Sequence, residues 1–342
     1  MQHKQLKNLP KNDPLFNYLC AVVLPKILPS FQGNPEFAVY RLHSSTHNNK
    51  VYLYKEINTH KKFVGKFFTE RGNSSKAASK AYHEFQNLTY LQNCHLNCHP
   101  HSVIKPIAYN PDLNCLLIIE YADGVSLCKI IRRALSSGKM DFLFETLSLL
   151  AYFMATLHNQ TAIDTPVDFN RDCTYFHQLV NQLKSTKNLS HFEVGLLTNL
   201  CENWKRKEYM WQDRQVLVHG DATPPNFIFS KENNILAIDF ERMKRADRIF
   251  DLGRIVGELQ HYFMHHGKHR HDAEPFIGHF LWEYCKHFPN QTDAFHSITK
   301  RIPFQIAITL MRIARNTWIE HSYSHRLLHE VKQILNGASH AN

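Results

Sequence analysis

The chain has 342 residues, of which 43% are hydrophobic and 12% aromatic, and it carries a formal net charge of +10. The apolar content excludes a disordered protein, and the length predicts two lobes or domains rather than a single core. The positive charge favours anionic partners such as nucleotides, phosphorylated metabolites, nucleic acid or an acidic membrane surface.

The cysteines and the apolar runs bear on the location of the protein. The eight cysteines are dispersed, and several lie inside apolar runs, as Cys115 does in "NCLLIIEY". This pattern is typical of reduced core thiols, so we expect a cytoplasmic protein. No run reaches the roughly 20 apolar residues that span a bilayer. We interpret residues 15–28, "LFNYLCAVVLPKIL", as a peripheral helix, with a signal or membrane anchor as the alternative.

After a helical N-terminal extension over residues 1–35, the segment 36–121 predicts a small sheet-containing lobe. Three strand-like runs rich in valine, tyrosine and phenylalanine come first: "FAVYRLH", "KVYLYKEI" and "KFVGKFF". A helix follows, because Ala77, Ala81 and Leu88 recur at helical spacing. "HSVIKPIAY" and "NCLLIIEY" then indicate two more strands. We expect an antiparallel five-stranded sheet with one helix.

Helical periodicity takes over after a hinge at residues 122–126. We expect helices over most of residues 127–336, followed by a tail at 337–342. The segment 216–240 is the exception, since it predicts a short strand pair. The fold class is therefore α+β with two lobes, of which the C-terminal one is larger and mainly helical.

The segment "LVHGDATPPNF" at residues 217–227 precedes the predicted strand pair. The runs "FIF" and "ILAID" flank the polar turn "SKENN", and antiparallel pairing would bring Asn226 beside Asp239. An amide oxygen and a carboxylate are hard ligands of the kind that Mg²⁺ uses when it also holds phosphate oxygens. Asp221, on the entry loop, can then act as a general base without being a metal ligand. This division of roles matches phosphoryl transfer.

Phosphoryl transfer also calls for a lysine that neutralises the phosphates of the donor. Lys66 lies inside the apolar run "FVGKFF", where a lysine needs a charged partner, so we favour it over Lys61 and Lys62. Glu84, on the helix that follows, is the expected partner and is favoured over Glu70.

Together these motifs resemble a known family. The pattern His219-x-Asp221-x4-Asn226, followed by Ile238-Asp239-Phe240-Glu241, is similar to the signature of the aminoglycoside phosphotransferase and choline kinase family. This family is the small-molecule branch of the protein-kinase-like fold. Lys66, Glu84, "IIEYADG" and "RIFDLGRIVGEL" occur in the expected order, so the resemblance covers roughly residues 36–335.

The resemblance implies a role for each matching residue of the C-terminal lobe. Asp221 is the catalytic base and His219 supports its loop, while Asp251 in "FDLG" hydrogen-bonds the loop backbone. Asn226 and Asp239 bind Mg²⁺.

For the nucleotide, the resemblance implies ATP as the donor. Lys66, held by Glu84, contacts the ATP phosphates. Main-chain groups of residues 119–122, which include Glu120 and Ala122, contact adenine.

The chain departs from the family pattern at three places. Residues 44–49, between the first two strands, contain no glycine, whereas many kinases cover the phosphates with a Gly-rich turn, so the nucleotide preference stays open. Thr223 replaces a second histidine common in the small-molecule branch. Glu241 replaces the glycine that follows Asp-Phe in protein kinases, and it is a possible further site residue.

We therefore expect an ATP- and Mg²⁺-dependent kinase that phosphorylates a hydroxyl of a small molecule. From residue 255 onward the chain has seven acidic residues against nine Lys or Arg and twelve His, some of them in the His-rich segment 261–271. A polycationic aminoglycoside would prefer an acidic pocket, so a neutral or anionic acceptor is favoured.

Three alternatives remain. The first is a non-catalytic nucleotide-binding regulatory protein on the same fold, and the second is a protein kinase. The third, a nucleic-acid-binding module, is not expected because the chain has no recognisable motif of that class. The oligomeric state is not predicted.

Overall fold

The computed structural model describes residues 5–42, 49–68, 74–230 and 232–337. The chain forms two compact units, of which the first comprises Met1–Gly124 and Ser230–Arg242 and the second comprises Val125–Phe229 and Met243–Asn342. Residues 230–242 therefore group with the first unit, whereas we expected them in the C-terminal lobe of residues 127–336.

Short strands and one antiparallel sheet dominate the first unit. Its strands are β1 (Gln5–Asn8), β2 (Phe37–Leu42), β3 (Asn49–Glu56), β4 (Lys62–Phe68), β5 (Asn97–Cys98), β6 (His101–Val103), β7 (Pro106–Asn110), β8 (Leu116–Glu120) and β12 (Ile235–Ala237). The main sheet has the order β1-β2-β3-β4-β8-β7, and all its neighbouring strands are antiparallel. Beside it, β6 pairs antiparallel with β5 and parallel with β12.

The predicted strand count was wrong by one. In the described residues the main sheet has six strands instead of five, because β1 pairs with the edge of β2. The sequence "QLKN" of β1 has no hydrophobic alternation. Its extended conformation therefore depends on backbone pairing with β2 and not on a local strand preference. The N-terminal extension is consequently part strand and part helix.

The helical part of the extension packs on the sheet. It consists of α1 (Pro14–Tyr18), a π-helical turn (Leu19–Val23) and α2 (Leu24–Ile27). Its buried apolar residues share one core with Phe37, Phe63 and Leu116 of the sheet: Leu15, Phe16, Leu19, Val23 and Leu24. The segment interpreted as a peripheral helix is thus a core element. Among the described residues, no helix combines the length and the apolar character that crossing a membrane requires.

Helices build most of the second unit, while α3 (Ser74–Asn93) belongs to the first. They are α4 (Leu127–Ser137), α5 (Asp141–Gln160), α6 (Phe169–Ser185), α7 (His191–Lys205), α8 (Ile249–His265), α9 (Glu274–Cys285), α10 (Gln291–Ala314) and α11 (His321–Gly337). Two short antiparallel pairs accompany them, one between β9 (Val125–Ser126) and β11 (Phe227–Phe229), the other between β10 (Val216–Val218) and β13 (Lys244–Ala246). Neither of these two pairs was predicted.

A buried arginine of α10 fixes the start of α8. Arg301 is 1% exposed, and its guanidinium donates hydrogen bonds to the carboxylates of Asp247 and Asp213. Arg248 donates to the same Asp213 carboxylate from Nε at 3.2 Å. Because Asp247 and Arg248 directly precede α8, this network anchors the helix that carries Asp251.

We expect Gly253→Ala to destabilise the protein by about 1–3 kcal/mol through overpacking. Helices α8 and α10 approach so closely that a Cβ at residue 253 would lie 2.3 Å from Gln305 Cβ. Gly278→Ala is the matched control, since a Cβ there would meet no atom within 4 Å. Urea unfolding measures both variants. Equal stability of Gly253→Ala and Gly278→Ala would contradict the close packing of α8 on α10.

Candidate active site

Lys66 lies at the centre of a partly buried charge cluster in the first unit. Its Nζ is 2.7 Å from Glu84 Oε2, 2.6 Å from Asp239 Oδ1 and 3.8 Å from Glu241 Oε2. Burial alone would lower the pKa of Lys66, but the charges of the three carboxylates raise it above its ordinary value. The lysine therefore stays protonated. The sequence predicted the ion pair between Lys66 and Glu84, and in the structure Asp239 and Glu241 also contact Lys66.

Glu84 is the most deeply buried carboxyl group of the cluster. Burial raises the pKa of Glu84 to about 7, against the opposing charge of Lys66. Within the described residues, one group of three possible metal ligands has its atoms within 4.8 Å of one another, and it consists of Glu84, Asp239 and Glu241. Lys66 is hydrogen-bonded to two of these carboxylates, so the cation that the cluster holds here is an ammonium.

The loop that carries Asp239 is held in an unusual conformation. Asp239 has a φ of +69°, in the left-handed region that non-glycine residues rarely adopt. The next residue, Phe240, is fully buried, and its carbonyl oxygen accepts a hydrogen bond of 3.0 Å from Asn87 Nδ2. We missed Asn87 in the sequence, although its position three residues after Glu84 places it on the same face of α3.

The loop that carries Asp221 belongs to the second unit and is tied to α8. Asp251 Oδ2 accepts a 2.6 Å hydrogen bond from the backbone N–H of His219, and its Oδ1 accepts one of 3.1 Å from Gly220. Gly220 has a φ of +81°, where a side chain would be strained. The third partner of Asp251 is His158, whose Nε2 lies 3.3 Å from Oδ2. This histidine was not singled out from the sequence.

The side-chain amide nitrogen of Asn226 donates hydrogen bonds within the loop that carries Asp221. Its Nδ2 donates to the carbonyl oxygen of Asp221 at 2.9 Å and to Thr223 Oγ1 at 3.3 Å. No described residue donates a hydrogen bond to Asn226 Oδ1, so this oxygen is the atom that can serve a cation. A hard amide oxygen fits Mg²⁺. Asn226 and Asp239 belong to different units, and the hairpin pairing expected between them stays a prediction.

Two arginines contact the carboxylate of Asp221. Arg254 Nη1 on α8 is 3.2 Å from Asp221 Oδ1, and Arg312 Nη1 on α10 is 3.7 Å from the same oxygen. Arg312 also donates to Glu258 Oε1 at 2.7 Å. The sequence analysis missed this group, because no local pattern relates a residue of α10 to the loop at 219–221.

The segment expected to contact adenine lies at the end of β8. The backbone N–H of Glu120 donates to the carbonyl oxygen of Lys105 at 3.0 Å, and Glu120 Oε1 accepts the N–H of Lys105 at 2.9 Å. The N–H of Glu120 is thus already engaged, while Ala122 is half-buried. Of the glycine-free loop at 44–49, residues 44–48 lie outside the described residues.

His261 opens the His-rich segment and is half-buried near Arg312. Its Nδ1 is 3.0 Å from the hydroxyl of Tyr323, and burial, followed by the charges of His265 and Arg312, lowers the pKa of His261 to about 4. An unfolded histidine titrates near 6.5, so the unfolded state binds more protons between pH 6.5 and 4. Stability is therefore lost as the pH falls through this window.

We expect His261→Gln to remove this pH dependence. Between pH 6.5 and 4 the wild type should lose about 2–3 kcal/mol of unfolding free energy more than the variant does. Urea unfolding at several pH values measures the difference. Parallel pH profiles for the two proteins would show that His261 is not the group that titrates.

The family model of the phosphotransferase enzyme family matches residues 39–280. No curated protein sequence matches the chain. Among solved structures, the chain is similar to an ethanolamine kinase of Plasmodium vivax, with 14% identity and a TM-score of 0.59 over 88% of this chain and 84% of that one. It is also similar to the choline kinase LicA of Streptococcus pneumoniae, with 16% identity and a TM-score of 0.56 over 92% and 96% of the two chains.

A third similar structure is the ADP-bound aminoglycoside phosphotransferase APH(2'')-Ib, with 14% identity and a TM-score of 0.55 over 94% of this chain and 97% of that one. At these identities the likenesses show the fold, and they confirm the expected protein-kinase-like architecture. The family model covers well over half of the chain. The chain therefore belongs to the phosphotransferase enzyme family, the small-molecule kinases that its motifs resemble.

Proposed function

We propose that the protein transfers the γ-phosphoryl group of ATP to a hydroxyl of a small molecule and that it requires Mg²⁺. The observation that carries this proposal is the loop of residues 219–221. Asp251 accepts hydrogen bonds from the backbone N–H groups of His219 and Gly220, and these bonds hold the loop that carries Asp221. Rigid presentation of a carboxylate is what a positioned general base needs.

In the proposed reaction Asp221 accepts the proton of the acceptor hydroxyl. The acceptor oxygen forms a bond to the γ-phosphorus while the bond between this phosphorus and the bridging oxygen of ADP breaks, and ADP leaves with the electron pair. Lys66, kept protonated by Glu84 and its neighbours, neutralises phosphate charge. His219 supports the loop, and main-chain groups of residues 119–122 bind adenine.

Asn226 and Asp239 would hold Mg²⁺, and Glu241 is a further candidate. Their amide and carboxylate oxygens are the ligand types that Mg²⁺ prefers. When bound, the ion neutralises phosphate charge. The engagement of Asn226 Nδ2 within its own loop supports this role, since it leaves Oδ1 for the cation.

The acceptor is proposed to be neutral or anionic, in contrast to ethanolamine, choline and the aminoglycosides, for which the relatives are named. Acidic residues are outnumbered by Lys, Arg and His from residue 255 onward, and Asp221 itself contacts two arginines. We propose a cytoplasmic location because all eight cysteines are free thiols.

The test is to incubate the protein with ATP, Mg²⁺ and a fractionated metabolite extract, and to search by mass spectrometry for products heavier by one phosphoryl group. Asp221→Asn is run in parallel to exclude contaminating kinases, and chelation of Mg²⁺ and replacement of ATP by GTP test the cofactors. A product formed by the wild type alone, and lost on chelation, supports the proposal. Binding of Mg·ATP without any product would instead support a non-catalytic nucleotide-binding protein, the reading that the glycine-free loop at 44–49 favours.

A further inference from the structure

We infer that the acceptor carries a carboxylate or phosphate group and that Arg254 and Arg312 bind this group beside the catalytic base. The inference rests on the proposed function, and it identifies a class of acceptor that the relatives' names do not include. All the residues involved lie in the second unit.

Arg254 is buried and makes few hydrogen bonds. It is 3% exposed, and a guanidinium offers five N–H donors. In the described part of the chain its one hydrogen bond runs from Nη1 to Asp221 Oδ1, at 3.2 Å. Its Nε is buried and has no hydrogen-bond partner. Such donors are costly inside a protein unless an acceptor meets them, and a functional site is a common reason for keeping them.

Arg312 repeats this pattern on α10. Its Nη2 binds Glu258, while its Nε is likewise buried and has no partner in the described residues. Burial and the neighbouring charge of Arg312 lower the pKa of Arg254 to about 10, although Asp221 and Glu258 act in the opposite direction. The carboxylates of Asp221 and Glu258 face the two guanidiniums, but the buried Nε donors of both arginines are left for a further oxyanion.

The contacts of Asp221 indicate where the hydroxyl goes. Both arginines approach Oδ1, and no described residue donates a hydrogen bond to Oδ2. The side chain of Asp221 is 21% exposed, so an acceptor can reach Oδ2. An acceptor whose hydroxyl donates to Oδ2 would have its anionic group next to the two guanidiniums. Carboxylates and phosphates share the oxyanion geometry that the arginine fork matches.

The first experiment divides the metabolite extract on an anion-exchange column at neutral pH. The wild type is given ATP labelled in the γ-phosphoryl group and each fraction in turn. We expect label transfer with the retained, anionic fraction, and mass spectrometry of the product then distinguishes a carboxylate from a phosphate acceptor. Transfer with the unretained fraction alone would overturn the inference and leave the proposed function intact. No transfer with any fraction would overturn the proposed function itself.

The second experiment compares Arg312→Gln with Arg315→Gln, which removes an arginine that binds Gln182 near the end of the same helix. With the acceptor found above, Arg312→Gln should raise the acceptor KM at least about tenfold, since a charge-assisted hydrogen bond is lost. The KM for ATP should stay unchanged, and Arg315→Gln should behave as the wild type. If the arginines serve only to hold Asp221, Arg312→Gln lowers kcat without changing the acceptor KM, and the inference is wrong.

A measurement without turnover completes the test. Inorganic phosphate, compared with chloride at equal ionic strength, should raise the Tm of the wild type and of Arg315→Gln more than that of Arg312→Gln. Equal shifts for the three proteins would show that Arg312 binds no anion.

Discussion

Asp221→Asn is expected to lower kcat by about 10²–10⁴-fold, the range for loss of a positioned general base. Asparagine keeps the shape of the side chain but cannot take up the proton of the acceptor hydroxyl. The KM for ATP should change little, because the substitution leaves Lys66 and Glu84 of the first unit in place. Steady-state rates at saturating ATP and acceptor measure the effect.

The control for this substitution has to remove an equal charge elsewhere. Asp164→Asn does so, since the Asp164 side chain is 92% exposed and its contact with Arg214 Nε is a surface ion pair of 3.5 Å. Surface pairs contribute little to stability, so this variant should retain full activity. Thermal unfolding of Asp221→Asn must show a folded protein, because Arg254 loses its charged partner. A folded Asp221→Asn enzyme with kcat near that of the wild type would exclude Asp221 as the base.

Asp251→Asn should have the largest effect on stability, about 3–5 kcal/mol. The carboxylate is fully buried and accepts hydrogen bonds from two backbone N–H groups. Burial by itself raises the pKa of Asp251, but its interactions with His158 and His219 lower it below the usual value, so the group is ionised. An asparagine carries no charge, and its amide nitrogen cannot accept the hydrogen bond of the backbone N–H group that faces it.

Activity should fall with stability, because a small displacement of the loop moves Asp221 from the reacting hydroxyl. Urea unfolding measures the loss of stability. Asp272→Asn is the matched control, since Asp272 Oδ2 also accepts a backbone N–H, from His269 at 2.8 Å, but at an exposed site. Its substitution should cost about 1 kcal/mol or less. Comparable losses in the two variants would show that burial of Asp251 adds nothing to the bonds it accepts.

Where the placement of a residue depended on neighbouring residues of the chain, the sequence was sufficient to predict it. Richness in valine, tyrosine and phenylalanine predicted β2 to β4, and the helical spacing of apolar residues predicted α3. Lys66 was recognisable since a lysine inside an apolar strand requires a charged partner, and the next helix offers Glu84 within 18 residues of chain. The spacing around Asp221 and Asn226 likewise reflects a single loop.

Contacts between distant segments were decided by the tertiary structure alone. Periodicity reports which face of an element is buried but not which element covers it, so neither the pairing of β1 with β2 nor the contact of Gly253 with α10 was visible. For polar side chains, the neighbouring sequence indicates even less about which residues they will contact. Asn87, Arg254 and Arg312 acquire their roles because folding brings them to Phe240 or to Asp221, at separations along the chain that no motif spans.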